Sequence, residues 1–178
     1  ARRDIARRDA FDWRAGLPER FTVEPLEPRL RKLSGLQLPE DVATTLAKWE
    51  RLRSGASPAG PGFKDFGFVT LDRSRLQPAI ASWATVDFVT GSAGDLGFFT
   101  RPEYRRRNLG LIAVSAALEH AFESGLQQVN WTCDADNPGS IRTAEKLGLE
   151  RIEDYTQALL VMDEEEHLRL WQESQAAP

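Results

Sequence analysis

RPEYRRRNLGLIAVSAALEHAFESG, Arg101 to Gly125, is the stretch whose reading decides the fold. Leu111, Val114, Leu118 and Phe122 fall at spacings of three and four, which is one apolar stripe of an α-helix, and Gly125 stands where a C-terminal cap belongs. The residues ahead of the stripe, Tyr104 to Gly110, are basic and turn-forming. A strand that passes through such a turn into a helix aims backbone amides and the positive end of the helix dipole at one point, where an anion can bind.

Upstream, Phe66–Asp72, Ile80–Thr90 and Asp95–Thr100 are rich in β-branched and aromatic residues, and TGSAG between the last two supplies turn chemistry, so an antiparallel meander is expected. Downstream, Val129, Trp131 and Cys133 alternate with Asn130 and Thr132 as in a strand. Asn137 and Pro138 then form an N-cap and first-turn pair for a short helix to Leu147, ended by Gly148. Tyr155 to Met162 reads as a final strand, followed by an acidic, helical tail containing DEEEH.

Nearer the N-terminus, Phe21, Val23 and Leu26 read as a short strand ended by Pro25 and Pro28, with a helical stretch around Leu30, Leu33 and Leu36. Pro39, Glu40 and Asp41 suit a helix start, and Val42, Leu46 and Trp49 carry that helix to about Arg53. Ser54 to Gly62, SGASPAGPG, is a loop, expected to be mobile. Residues 1–20 are arginine-rich and read as an arm, helical or looped, packed on a single domain spanning 21–178. The order of elements is mixed α/β, or α+β: a mostly antiparallel sheet flanked by helices.

The chain has 178 residues, 41% hydrophobic and 28% charged, with a formal net charge of −4. That composition fits one soluble globular domain. Acidic balance argues against nucleic acid, which needs a basic footprint, and suits a cationic partner such as an amine. One cysteine excludes an internal disulfide, and no apolar run approaches the roughly 20 residues of a membrane span. A cytoplasmic protein is expected, and a homodimer is compatible with this reading.

RPEYRRRNLGLIAVSAALEHA followed by NWTCDADNPGSIRTAEKLGLERI resembles the GNAT superfamily of N-acetyltransferases, closely over residues 95–155. The family signature is Arg or Gln, two residues, Gly, one residue, then Gly or Ala; here it reads Arg105, Arg106, Arg107, Asn108, Leu109, Gly110. Asn replaces the first glycine, a mild departure because Asn tolerates positive φ. The second motif, DNPGSIRTAEKLGL, matches the family's late helix in the same order.

The resemblance implies acetyl-CoA as the acyl donor. The amides from Arg106 to Leu111 would cradle its diphosphate with help from the guanidinium groups, main-chain groups of Phe98, Phe99 and Thr100 would pair with the pantetheine arm, and Asn137 would touch that arm as well as cap its helix. The reaction implied is direct attack of an amine, on a small molecule or a protein, on the thioester. Asp95 matches a position where relatives carry a carboxylate, sometimes the base; a hairpin-end aspartate is the plain alternative. Relatives place a tyrosine acid where this chain has Ala144, which leaves Tyr155 as a candidate acid if the chain returns it to the site, or direct proton loss to water. A degenerate domain that only binds acyl-CoA or a protein partner is the alternative function.

Cys133 continues the face of Val129 and Trp131 and is expected to be a buried core thiol. His120, beside Glu119, and His167, after three glutamates, read as solvated. Asp134 and Asp136 suit loop and capping chemistry, or contact with a cationic acceptor. No metal-ligand spacing is present, and no Gly-Lys-Ser or Gly-Lys-Thr follows the glycine, which disfavours a nucleotide P-loop.

Overall fold

The computed structural model describes residues 12–54, 65–74 and 76–156. In chain order these form β1 (Phe21–Pro25), α1 (Glu40–Arg53), β2 (Phe66–Asp72), β3 (Ala79–Thr90), β4 (Ala93–Thr100), α2 (Leu109–Glu123), β5 (Gln128–Trp131) and α3 (Pro138–Lys146). The sheet runs β1-β2-β3-β4-β5; the first three pairings are antiparallel and β4 with β5 is parallel. α2 is the crossover that a parallel pair requires.

Each face of the sheet carries a core. On one, α1 buries Val42, Leu46 and Trp49 against Val69, Leu71, Ile80 and Trp83, together with Leu26 and Leu30. The Leu46 and Trp49 side chains are fully enclosed, and burial of each contributes about 1.5–3 kcal/mol. The indole nitrogen of Trp49 donates to Asp87 at 3.2 Å, so its one polar atom is satisfied. On the opposite face, Val114, Ala117, Leu118 and Ala121 of α2 pack on Ala84, Val86 and Leu96.

α2 is more deeply set than its apolar stripe predicts, since every residue from Leu109 to Leu118 is buried. The sheet covers one side, Leu147 and Leu149 pack on the same cluster, and Leu109 and Ile112 meet Trp13, Leu17 and Phe21 on another side. Over these ten residues the helix has no solvent face to keep polar; its large polar residues, Glu119, His120 and Glu123, come after them. The chain around Trp13 is a turn, not a helix, and is fixed to α2 by the Trp13 indole and Arg14 guanidinium, which donate to Glu119 at 2.9 and 2.8 Å.

Two irregularities break the alternation along β3. The register slips at Thr70/Leu71, leaving Ala81 as an extra residue, so Ile80 and Trp83 share one core. A second slip lies between Asp87 and Thr90, where Phe88 takes φ 53° and turns outward, 70% exposed.

Some expectations are corrected. The stretch after Leu26 forms a single 3-10 turn, Pro28–Lys32, because Leu33 already takes an extended conformation, ψ 120°, and Gly35 at φ 75° then turns the chain away. Cys133 is exposed: β5 ends at Trp131, so the alternating face does not extend to it. Residues 151–156 form no strand; the remainder of the expected final strand, the acidic tail with His167, residues 1–11 and residues 55–64 lie outside the described residues. No helix among those described is long and apolar enough to cross a membrane.

Candidate active site

β4 and β5 pair over only four residues, Ala93–Leu96 against Gln128–Trp131. Beyond Leu96 the second half of β4 keeps its antiparallel partner β3 on one side and has no strand partner among the described residues on the other. Unpaired main-chain groups on such an edge are ready to bond an extended ligand. The end of β4 is held in place by the Ser82 hydroxyl, which donates to the Phe99 carbonyl at 2.7 Å, and by Arg105, whose Nε donates to the Thr100 carbonyl at 3.2 Å.

The turn after β4 is shaped by Tyr104, which is buried and edge-on to Phe21 with ring centroids 6.2 Å apart. Burial alone would raise the neighbouring Asp72 carboxyl; the hydroxyl and amide of Ser74, the Tyr104 hydroxyl and the Arg20 guanidinium outweigh it and hold Asp72 below the usual carboxylate range. Arg106 at φ 61° and Asn108 at φ 58° then bend the chain sharply into α2. The expectation that Asn108 stands in for a glycine by adopting the left-handed conformation is met.

No side chain among the described residues caps α2, and no acidic residue sits in its first turn. The first amide to find an intrahelical acceptor is that of Ile112, on the Asn108 carbonyl at 2.9 Å. The amides of Leu109, Gly110 and Leu111 therefore face the turn with the positive dipole end and no protein acceptor among the described residues, flanked by the exposed Arg105, Arg106 and Arg107. Such an arrangement can hold an anionic group.

Gly110 has a structural reason of its own. A Cβ there would lie 2.7 Å from Thr100 Oγ1 and 2.8 Å from a Phe98 ring carbon, so glycine is what lets α2 approach β4 this closely. Phe98 and Thr100 point to the α2 face, and Phe98 also packs on Trp131 at 5.0 Å; Phe99 points to the other face, onto Trp83 at 4.9 Å. Asn137 caps α3 by accepting from the Ser140 amide at 3.1 Å, as expected, and Ser140 in turn accepts from the Trp131 indole at 3.0 Å.

Asp95 is exposed on β4 and accepts from Asn130 Nδ2 at 2.9 Å, while Asn130 accepts from Gln128 Nε2 at 2.7 Å. Tyr155, also exposed, donates to Thr132 Oγ1 at 3.2 Å. Asn130 and Thr132 are two residues apart, so both candidate catalytic groups touch one short run of chain where β5 leaves β4. Asn130, Ser82 and Asp87, which stands on β3 opposite Asp95, carry no motif in the sequence; only strand register brings them here. Asp65, at the start of β2, lies close to Asp87: burial raises its carboxyl above the usual range, against the Val89 amide that it accepts, and Asp87 adds to the rise. No cluster able to hold a metal exists among the described residues.

Residues 27–150 match the family model of an acetyltransferase (GNAT) domain. No curated protein matches the chain. Among solved structures, glucosamine-6-phosphate N-acetyltransferase from Arabidopsis thaliana superposes with a TM-score of 0.55 at 18% identity, over 80% of this chain and 99% of that one. Ribosomal-protein-S5-alanine acetyltransferase from Vibrio fischeri gives 0.54 at 15% identity, over 74% and 80%. An aminoglycoside N-acetyltransferase in complex with CoA gives 0.54 at 18% identity, over 81% and 99%. At these identities the structural matches speak for the fold.

Proposed function

The chain belongs to the GNAT acetyltransferase family, and on that premise we propose that it transfers an acetyl group from acetyl-CoA to a primary amine, on a small molecule or a protein, by direct attack. The observation that carries the proposal is the parting of β4 from β5 beside the uncapped start of α2. An unpaired strand edge and a set of free amides at a helix N-terminus match, in order, an amide-bearing arm and a diphosphate.

In this reading the amides from Arg106 to Leu111 hold the diphosphate and the three arginines add charge-assisted bonds. Phe98, Phe99 and Thr100 offer main-chain groups to the pantetheine arm, and Asn137 contacts the same arm. Acetyl-CoA supplies an activated acetyl carbon on a thiolate leaving group. The incoming ammonium gives a proton to Asp95, held in orientation by Asn130; the amine lone pair forms the new C–N bond, the C–S bond breaks, and the second proton of the nitrogen passes to water, from which Tyr155 regains the proton it gives to the sulfur. Main-chain amides of β4 stabilise the charge developing on the carbonyl oxygen. Tyr155 donates the proton that the departing sulfur takes up, in the role for which position 144, an alanine, has no acid.

Calorimetric titration of acetyl-CoA and CoA tests the cofactor half. Replacing Arg105, Arg106 and Arg107 together by Gln is expected to weaken binding about tenfold, a modest loss because exposed charges are screened. Failure of the intact protein to bind either compound refutes the proposal. Asp95→Asn is expected to lower kcat for an accepted amine by about 10²–10⁴ with acetyl-CoA affinity kept. Binding without thiol release across an amine screen selects the binding-module reading, which Ala144 favours.

A further inference from the structure

We infer that Gly97 is the specificity-determining position on the acceptor side: its missing side chain opens a seat, between Asp95 and Phe99 on the outer face of β4, for a primary ammonium carried on an unbranched carbon chain. The inference rests on the transferase reading above.

A glycine inside a strand weakens it, and such a residue commonly marks a bulge, a tight backbone approach or a ligand. The protein itself makes no demand for glycine here. Among the described residues a Cβ at Gly97 would meet only Thr85 Oγ1, at 3.8 Å, an ordinary contact, and its φ lies outside the left-handed region. Two other strand glycines behave differently: a Cβ at Gly94 would lie 2.7 Å from Val86 Cγ1, and one at Gly67 would lie 2.6 Å from the Ala84 carbonyl oxygen. Those glycines serve packing. Gly97 is exposed and is the residue at which β4 loses β5.

The neighbours on that face state the ligand's chemistry. Asp95 on one side stands directly opposite Asp87 of β3, and like charges opposite one another repel. Lys48 is 4.0 Å from Asp87, and the bond Asp95 accepts comes from the neutral Asn130, so a cation lying over Asp95 would relieve the pair. On the other side Phe99 is 42% exposed and lies on Trp83, giving an apolar wall. Strand residues rise about 3.3 Å each, so Asp95 and Phe99 flank about 13 Å of strand, a length that an ammonium bonded to the carboxylate, a short methylene chain and a contact on the ring together span. The ammonium then lies at Asp95, the chain crosses Gly97, and the apolar remainder rests on Phe99.

The test compares the wild-type protein with Gly97→Ala and Gly97→Val. Acetyl-CoA binding is measured by calorimetry, and CoA thiol release is followed with n-butylamine as the acceptor probe. The expected result is acetyl-CoA affinity within twofold for all three, with kcat/KM for n-butylamine falling about tenfold at Val, and less at Ala, through KM. Gly97→Ala, whose Cβ fits the structure as it stands, decides the matter if Val disturbs the strand. Equal kcat/KM in all three proteins overturns the proposal. So does loss of acetyl-CoA binding in the folded variants, which would put Gly97 in the cofactor channel. A wild-type protein that binds acetyl-CoA and releases no thiol with n-butylamine overturns the seat and leaves the transferase reading standing; one that binds no acetyl-CoA removes both.

Discussion

Replacing Gly110 by alanine adds one methyl group where α2 meets β4. That methyl would sit 2.7 Å from Thr100 Oγ1 and 2.8 Å from the Phe98 ring, and neither neighbour is free to retreat. Thr100 Oγ1 is 3.0 Å from the Ser82 hydroxyl, and the Phe98 ring is packed on Trp131. Overpacking of this kind costs about 1–3 kcal/mol. Alanine recovers up to about 1 kcal/mol of helix propensity, less in the first turn, so a net loss of about 1–2 kcal/mol is expected from the two. Urea unfolding measures it. A double-mutant cycle with Thr100→Ala locates it, because removing Oγ1 opens the closest contact and should return about 0.5–1 kcal/mol of coupling. If Gly110→Ala is as stable as the wild type, or the two changes add without coupling, the close approach of α2 to β4 is not what the glycine serves.

Asn108→Val places a β-branched residue at φ 58° and is expected to cost about 1–2 kcal/mol, whereas Asn108→Gly should leave stability nearly unchanged; thermal unfolding of the two separates backbone conformation from side-chain contact. Asn137→Ala removes the α3 cap and should lower stability by about 1 kcal/mol in the same assay. Asp72 and Asp65 have opposite linkage. Asp72, lowered in the fold, contributes stability that is present above the unfolded carboxyl value of about 4 and lost as pH falls through the folded value. Asp65, raised, opposes folding increasingly as pH rises through its window and favours it below. Urea midpoints between pH 3 and 8 should therefore show Asp72→Asn destabilised at neutral pH with the deficit shrinking in acid, and Asp65→Asn stabilised at neutral pH.

What the sequence discloses is what local chemistry decides. The start of α2, the cap at Asn137 and the left-handed Asn108 each depend on a few consecutive residues, so motif and spacing suffice. Gly110 shows the limit of that: the motif places it at the turn into α2, but the atoms it must clear, Thr100 Oγ1 and Phe98, are fixed by tertiary approach. The bond from Asn130 to Asp95, the Asp87–Asp95 juxtaposition and the open floor at Gly97 depend on strand register, which two bulges shift and no local pattern records. Cys133 misleads for a related reason. Alternation continues past Trp131, but pairing does not, and burial follows pairing.

The uncapped first turn of α2 has a consequence for how such a protein diverges. Its donors are peptide N–H groups, which every residue but proline carries, so the diphosphate recognition proposed there is written in conformation and leaves side-chain identity largely free. A glycine can give way to asparagine at position 108 because both reach the same φ. An alanine scan would pass over these donors. Replacing single amides by esters along Leu109, Gly110 and Leu111 would remove them one at a time while leaving the side chains as they are.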